Sequence, residues 1–118
     1  MNRDVPRVQN VDTKVGLYIE IKQYAYYQNE MGVDMAEKLF ELLDQNGLAQ
    51  IADCESTIPI IIQSFEEDAL TKFATLSDLP LIQLASYSTT YDFAHVATYA
   101  HGVGPDSKYV MYDTKLDE

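Results

Sequence analysis

Glu20 and Lys22 are the residues in this sequence best placed to do chemistry. They close the stretch Leu17-Tyr18-Ile19-Glu20-Ile21-Lys22, in which apolar Leu17, Ile19 and Ile21 alternate with Tyr18, Glu20 and Lys22. Side chains of a β-strand point to opposite faces with period two, so the spacing predicts a strand with one apolar face. An acid and a base then project together from the other face. On a wet face they make an ordinary polar surface, the normal pattern of a half-exposed strand. Facing an interior or a cleft, they require a partner, a metal or a ligand, because uncompensated charge is costly to bury.

Other residue types that could take part are scattered. Gln63 and Gln83 follow apolar runs, and Tyr24, Tyr26 and Tyr27 cluster after the first strand. Such tyrosines more often form a packed rim than a pocket, because the ring buries while the hydroxyl stays wet. His95 falls in a predicted helix and His101 at its end, where a cation is favoured by the helix dipole. Cys54 is the only cysteine, which excludes an intrachain disulfide and a cysteine zinc cluster.

The elements that position these residues are punctuated clearly. Asp34 to Asn46 reads as a helix: Asp34 and Glu37 have capping-box spacing, Ala36, Leu39, Phe40 and Leu43 form the buried stripe, and Gly47 stops it. Residues 23–33 read as a long connection. A loop through Cys54 and Thr57 leads to Ile58-Pro59-Ile60-Ile61-Ile62-Gln63, a continuous apolar run of the kind seen in strands covered on both faces. Ser64 and Glu67 again have capping-box spacing and open a helix through Leu76. Leu79 to Leu84 is a third strand with Pro80 near its start, Thr89 or Thr90 begins a third helix, and Gly102-Val103-Gly104-Pro105 is a short fourth strand. The two glycines imply a close backbone approach or a tight turn. Residues 1–14 read as an irregular lead-in. Asp106 to Glu118 has a weak element start at Tyr109 to Tyr112 and an acidic tail.

Strands alternating with helices imply βαβ units and a parallel sheet in one α/β domain. Ligands of such sheets sit at the carboxyl ends of the strands. Glu20, Lys22, Gln63, Gln83 and Gly104 all fall there. The net charge of −11 argues against nucleic acid and anionic membrane surfaces as partners. No apolar run approaches the roughly 20 residues of a membrane helix, and the first residues carry no apolar signal core.

Four motifs occur in an order that resembles the glycerophosphodiester phosphodiesterases. They are Gly16-Leu17-Tyr18-Ile19-Glu20-Ile21-Lys22, Ile60-Ile61-Ile62-Gln63-Ser64-Phe65-Glu66, Leu81-Ile82-Gln83-Leu84, and Tyr99-Ala100-His101-Gly102-Val103-Gly104-Pro105. The resemblance covers about residues 9–112, and its first two motifs are the more specific. His101 departs from the pattern, standing where the family usually has an acidic residue. The resemblance implies a TIM barrel of about twice this length, of which residues 1–118 would be a partial domain of about four consecutive parallel βα units. The family's upstream His-Arg-Gly motif, acidic pair and His-Asp motif are not in this sequence, nor are its downstream Ala-His and aromatic-threonine stretches.

The family hydrolyses glycerophosphodiesters to sn-glycerol 3-phosphate and an alcohol, using Ca²⁺ or Mg²⁺ and two proton-shuttling histidines. Glu20 matches its metal-binding glutamate and Lys22 its phosphate-neutralising lysine. Gln63 and Gln83 are weaker candidates for lining the substrate pocket, set against satisfying backbone groups at strand ends. His95 and His101 do not replace the acid–base histidines. The expectation is therefore no catalytic residue in this chain, an incomplete cation site, and no turnover by the chain alone. Two alternatives stand beside this. One is a non-enzymatic half-barrel that self-associates through open sheet edges. The other is a small open α/β binding domain, for which Gln23 to Tyr27 lacks the glycine-rich phosphate loop.

Overall fold

A computed structural model describes residues 15–52 and 58–112, the side chains of 110–112 excepted. Four strands, β1 (Leu17–Glu20), β2 (Ile60–Ser64), β3 (Leu81–Ala85) and β4 (Gly102–Pro105), form one sheet in chain order, and every pairing is parallel. Between them lie α1 (Tyr24–Met31), α2 (Met35–Gln45), α3 (Glu67–Ala74) and α4 (Phe93–Val96), and α5 (Ser107–Tyr112) follows β4. The protein is thus an α/β fold of alternating βα units. Among the described residues no helix is long and apolar enough to cross a membrane.

The strands place Leu17, Ile19 and Ile21, then Ile60, Ile62 and Ser64, then Leu81, Gln83 and Ala85 on one face, through the register Leu17↔Ile60, Ile62↔Leu81 and Ser64↔Gln83. This face packs under the helices, where Ala36 and Leu43 of α2 and Ala69, Leu70 and Phe73 of α3 are buried with it. Phe73 and Ile62 are completely buried, so truncating Phe73 to alanine would cost on the order of 3–5 kcal/mol. The opposite face carries Tyr18 and Glu20, Ile61 and Gln63, Ile82 and Leu84, and Gly102 and Gly104, paired as Tyr18↔Ile61, Glu20↔Gln63, Gln63↔Ile82, Ile82↔Gly102 and Leu84↔Gly104. No residue of this face is fully buried, and Tyr18 is 54% exposed.

That second face is concave. A flat sheet would hold β1 and β4 three spacings apart, roughly 14 Å. The Tyr18 hydroxyl nevertheless lies 3.9 Å from the point where a Cβ on Gly104 would sit. One tyrosine bridges that gap only if the sheet curls toward its helix-free side. The curl also explains the glycines. A Cβ on Gly104 would come within 2.9 Å of Leu84 Cδ2, and one on Gly102 within 3.0 Å of Ile82 Cδ1. Side chains of β3 approach the β4 backbone, and no tight turn is involved.

Local chemistry explains the other departures from expectation. Residues 23–33 are not a plain connection: Gln23 turns left-handed at φ 53° and α1 runs to Gly32 at φ 64°. α1 lacks the amphipathic stripe that reveals a helix in sequence, since Tyr24 alone of its residues is buried. α2 follows the expected bounds, with Asp34 accepting the Glu37 N–H at 3.0 Å. Its end is a Schellman motif: Leu48 N–H donates to Leu43 O and Gly47 N–H to Asp44 O, with Gly47 at φ 69°. Ser64 does not cap α3. Its side chain is buried and donates to Ile21 O at 2.7 Å, while Glu66 takes the N-cap position without a side-chain cap bond. The third helix begins after Asp92, not at Thr89 or Thr90, because Asp92 accepts the N–H groups of Ala94 and His95. Among the described residues β2 is covered on one face only, and Ile61 is half-buried despite its apolar run. The lead-in, the Cys54–Thr57 loop and the acidic tail lie outside the described residues.

Candidate functional site

Glu20 is the last residue of β1, and parallel register sets it beside Gln63 on the concave face. Both side chains are half-buried at the carboxyl ends of their strands. Adjacent strands lie about 4.8 Å apart, so a carboxylate and an amide share one small patch of surface. The backbone reinforces the junction: Ile21 N–H donates to Gln63 O at 2.9 Å, and Ser64 hydroxyl to Ile21 O. Lys22 follows two residues later, exposed. It does not pair with Glu20. The ion pairs among the described residues join Lys38 to Glu41, Lys72 to Asp34 and His95 to Glu67.

Oxygen donors from Glu20 and Gln63 suit a hard divalent cation, which takes about 6–8 of them as Ca²⁺ or six as Mg²⁺. Two side chains are a fraction of that set. Among the described residues, no three His, Cys, Asp or Glu side chains come together as a metal site. The donor chemistry fits the implied cation, and the donor number requires ligands beyond these residues.

Gln83 does not join this patch. Its register partner is Ser64, one residue out of phase with Gln63, which puts it on the helix side and leaves it 1% exposed. There Nε2 donates to Phe65 O at 3.0 Å and Leu84 O at 2.9 Å, and Oε1 accepts from the Tyr99 hydroxyl at 2.7 Å. Every polar atom is used on the scaffold. Lying at the end of a strand does not decide which face a residue takes; its parity does.

A second cleft, of about 270 Å³, opens above Gln83 on the helix side, between Phe65, Glu67 and the segment 89–92. His95 Nε2 lies 2.9 Å from Glu67 Oε2 there, with the His95 ring edge-on to Tyr99 at 5.6 Å. Burial, then the negative charge of Glu67, pushes the pKa of the Tyr99 phenol above its ordinary value. Nothing in the sequence signals this group, because Glu67 and His95 are 28 positions apart. His101 is at the other end of the sheet. Its N–H donates to Leu81 O and its Nδ1 accepts the Leu81 N–H at 3.0 Å, at the start of β3. An acidic side chain could accept the same N–H. Neither histidine therefore stands with Glu20.

Glu66 makes a contact that nothing local in the sequence signals. Its carboxylate reaches back to the first turn of α1, accepting Tyr24 N–H at 2.6 Å and Ala25 N–H at 3.1 Å. A helix N-terminus at the carboxyl end of a sheet is a ready anion site, and here a carboxylate of the same chain fills it. Tyr24 is buried and donates to Asp34 at 3.0 Å. Tyr26 and Tyr27 pack edge to face at 5.4 Å on the outside of α1. The tyrosine cluster is a rim.

No protein-family model matches this chain, and a search of curated proteins found no match to it. Function is accordingly argued from the motifs and the geometry.

Proposed function

We propose that the chain is a four-stranded part of a (β/α)8 barrel of the glycerophosphodiester phosphodiesterase type. The concave, helix-free face would be the inner wall. The observation that carries this is the placement of Glu20 and Gln63 side by side on that face, at the carboxyl ends of adjacent parallel strands. That is the position of ligand sites in such barrels. Two further facts support it. Ile61, Ile82 and Leu84 are half-buried on a face that no described helix covers, and the curl brings Tyr18 toward β4.

In this reading Glu20, helped by the Gln63 amide oxygen, supplies part of the coordination of a divalent cation, and that cation polarises a phosphodiester when bound. Lys22 offsets phosphate charge as a point cation at the mouth. Gln83 positions rather than binds: it ties β3 to the Phe65 carbonyl that follows β2. Proton transfer falls to groups outside this sequence, since its two histidines are committed elsewhere. The chain alone is therefore catalytically silent toward glycerophosphodiesters.

The test is a graft. Residues 15–112 replace the matching segment of an active glycerophosphodiester phosphodiesterase, and release of glycerol 3-phosphate from glycerophosphocholine is followed with Mg²⁺ or Ca²⁺. The expected outcome is an active hybrid that loses at least about 100-fold in kcat/KM on Glu20→Gln, in line with loss of a transition-state charge contact. A folded but inactive hybrid, or one indifferent to Glu20→Gln, refutes the assignment. Steady turnover by the isolated chain refutes its silence.

A further inference from the structure

Three features remain uncovered among the described residues, and they lie along one line of closure. The first is the concave face of Tyr18, Ile61, Ile82 and Leu84. The second is the pair of outer sheet edges. Leu17 and Ile21 donate their N–H groups to β2, so with period two the Tyr18 and Glu20 N–H groups point away from the sheet. His101 donates to Leu81 O of β3, which likewise turns the Gly102 and Gly104 N–H groups outward from β4. The third is a groove of about 230 Å³ beside β1, where Ile19, Met35 and Leu39 are joined by the charged Glu20, Lys22 and Lys38.

We propose that two copies of this chain close into one eight-stranded parallel barrel about a two-fold axis along the strands, β4 of each pairing with β1 of the other. The inference rests on reading the sheet as half of a barrel: in the whole enzyme of that reading other strands would take the two open edges, and in the chain by itself a second copy takes them.

The geometry favours a second copy for specific reasons. The strand order is sequential and wholly parallel, so a two-fold axis along the barrel makes both new seams parallel and identical. Two such seams close the sheet, and eight strands is the number at which side chains fill a barrel of this kind. Larger rings, such as three copies with twelve strands, would also pair both edges but would leave the interior unfilled, so two copies is the closure that packing selects. The helix side leaves room for the seam. α5 follows β4 but its buried Tyr109 turns inward, its hydroxyl 3.2 Å from Ser86 O and Thr89 O and its ring against Tyr87 and Phe93, so α5 is tied to the β3 side of β4. At the mouth, exposed Asp106 follows β4 and exposed Lys22 follows β1. Parallel pairing brings these opposite charges to the same end of the seam.

Sedimentation velocity of the full chain over a concentration series, with hydrogen exchange of individual amides, tests this. The expected species is a closed dimer of twice the 13.4 kDa chain mass, in which the Tyr18, Glu20, Gly102 and Gly104 amides gain protection as concentration rises. Ile61→Lys on the concave face and Tyr18→Pro on the outer edge, where the lost N–H makes no bond to β2, should each give monomers with wild-type circular dichroism. Lys22→Glu should weaken the dimer about tenfold through its two symmetric seams, and Asp106→Lys in the same chain should restore it. A monomer at every concentration, open-ended oligomers, or a dimer whose four amides stay unprotected overturns the proposal. So does a Lys22→Glu defect that Asp106→Lys leaves unrepaired. The graft is read on a monomeric hybrid, so an active hybrid beside a monomeric chain would sink the dimer and leave the family assignment standing.

Discussion

Replacing Gln83 by leucine tests the claim that this residue belongs to the scaffold. The substitution keeps the volume and removes the polar head. Two carbonyls, of Phe65 and Leu84, lose their donor, and the Tyr99 hydroxyl loses its acceptor. A buried polar group left unpaired costs about 1–3 kcal/mol. Tyr99 is half-buried and Phe65 is exposed, so water recovers part of that loss. Leucine regains some burial, at about 25 cal/mol per Å². The net expectation is a destabilisation of about 1–3 kcal/mol, a sizeable fraction of the 5–15 kcal/mol typical of a domain. Urea unfolding followed by circular dichroism, at one fixed protein concentration, would show a lower midpoint with an unchanged slope. Tyr99→Phe should be partly redundant with it, with a coupling of about 0.5–1 kcal/mol in a double-mutant cycle. The partner control is Gln63→Leu, on the open concave face, expected within about 0.5 kcal/mol of wild type. Gln83→Leu as stable as wild type, or Gln63→Leu as damaging as Gln83→Leu, would refute the placement of the two glutamines on opposite faces.

Two further outcomes follow from the same structure. Glu66→Ala removes the acceptor for both the Tyr24 and Ala25 N–H groups, so α1 should fray at a cost of about 1–2 kcal/mol, visible as faster exchange of those two amides. Burial, reinforced by the hydrogen bond and charge of Asp34, pushes the Tyr24 phenol up to about 12 from 10.0. The folded chain then holds that proton where the unfolded chain has lost it. The contribution is complete below pH 10 and disappears as pH rises to about 12. Tyr24→Phe should flatten the decline of unfolding midpoint across that window, and an unchanged decline would contradict the assignment.

The sequence by itself determined the parallel α/β character, the four strands and the two helices with strong apolar stripes. Period-two and helical spacing are local, and parallel strands must be joined by crossovers. It also nominated Glu20 and Lys22 as candidates for a site, because charge at the end of a strand is conspicuous against its apolar partners. Its reading of α1 failed because that helix buries a single residue and is capped by Glu66 from 42 positions away, contacts that leave no local pattern. The capping-box spacing at Ser64 misled for a related reason: the helix starts after Glu66, so the buried Ser64 hydroxyl donates to the Ile21 carbonyl on the neighbouring strand and accepts the Glu66 N–H, two positions ahead of the first helical turn. Only the tertiary structure decided the phase of each strand. A shift of one residue in register moves a side chain through the sheet, which is why Gln63 stands beside Glu20 and Gln83 lies beneath the helices. The same register, with the curl of the sheet, converts an apolar run that reads as buried on both faces into a concave wall that no described helix covers.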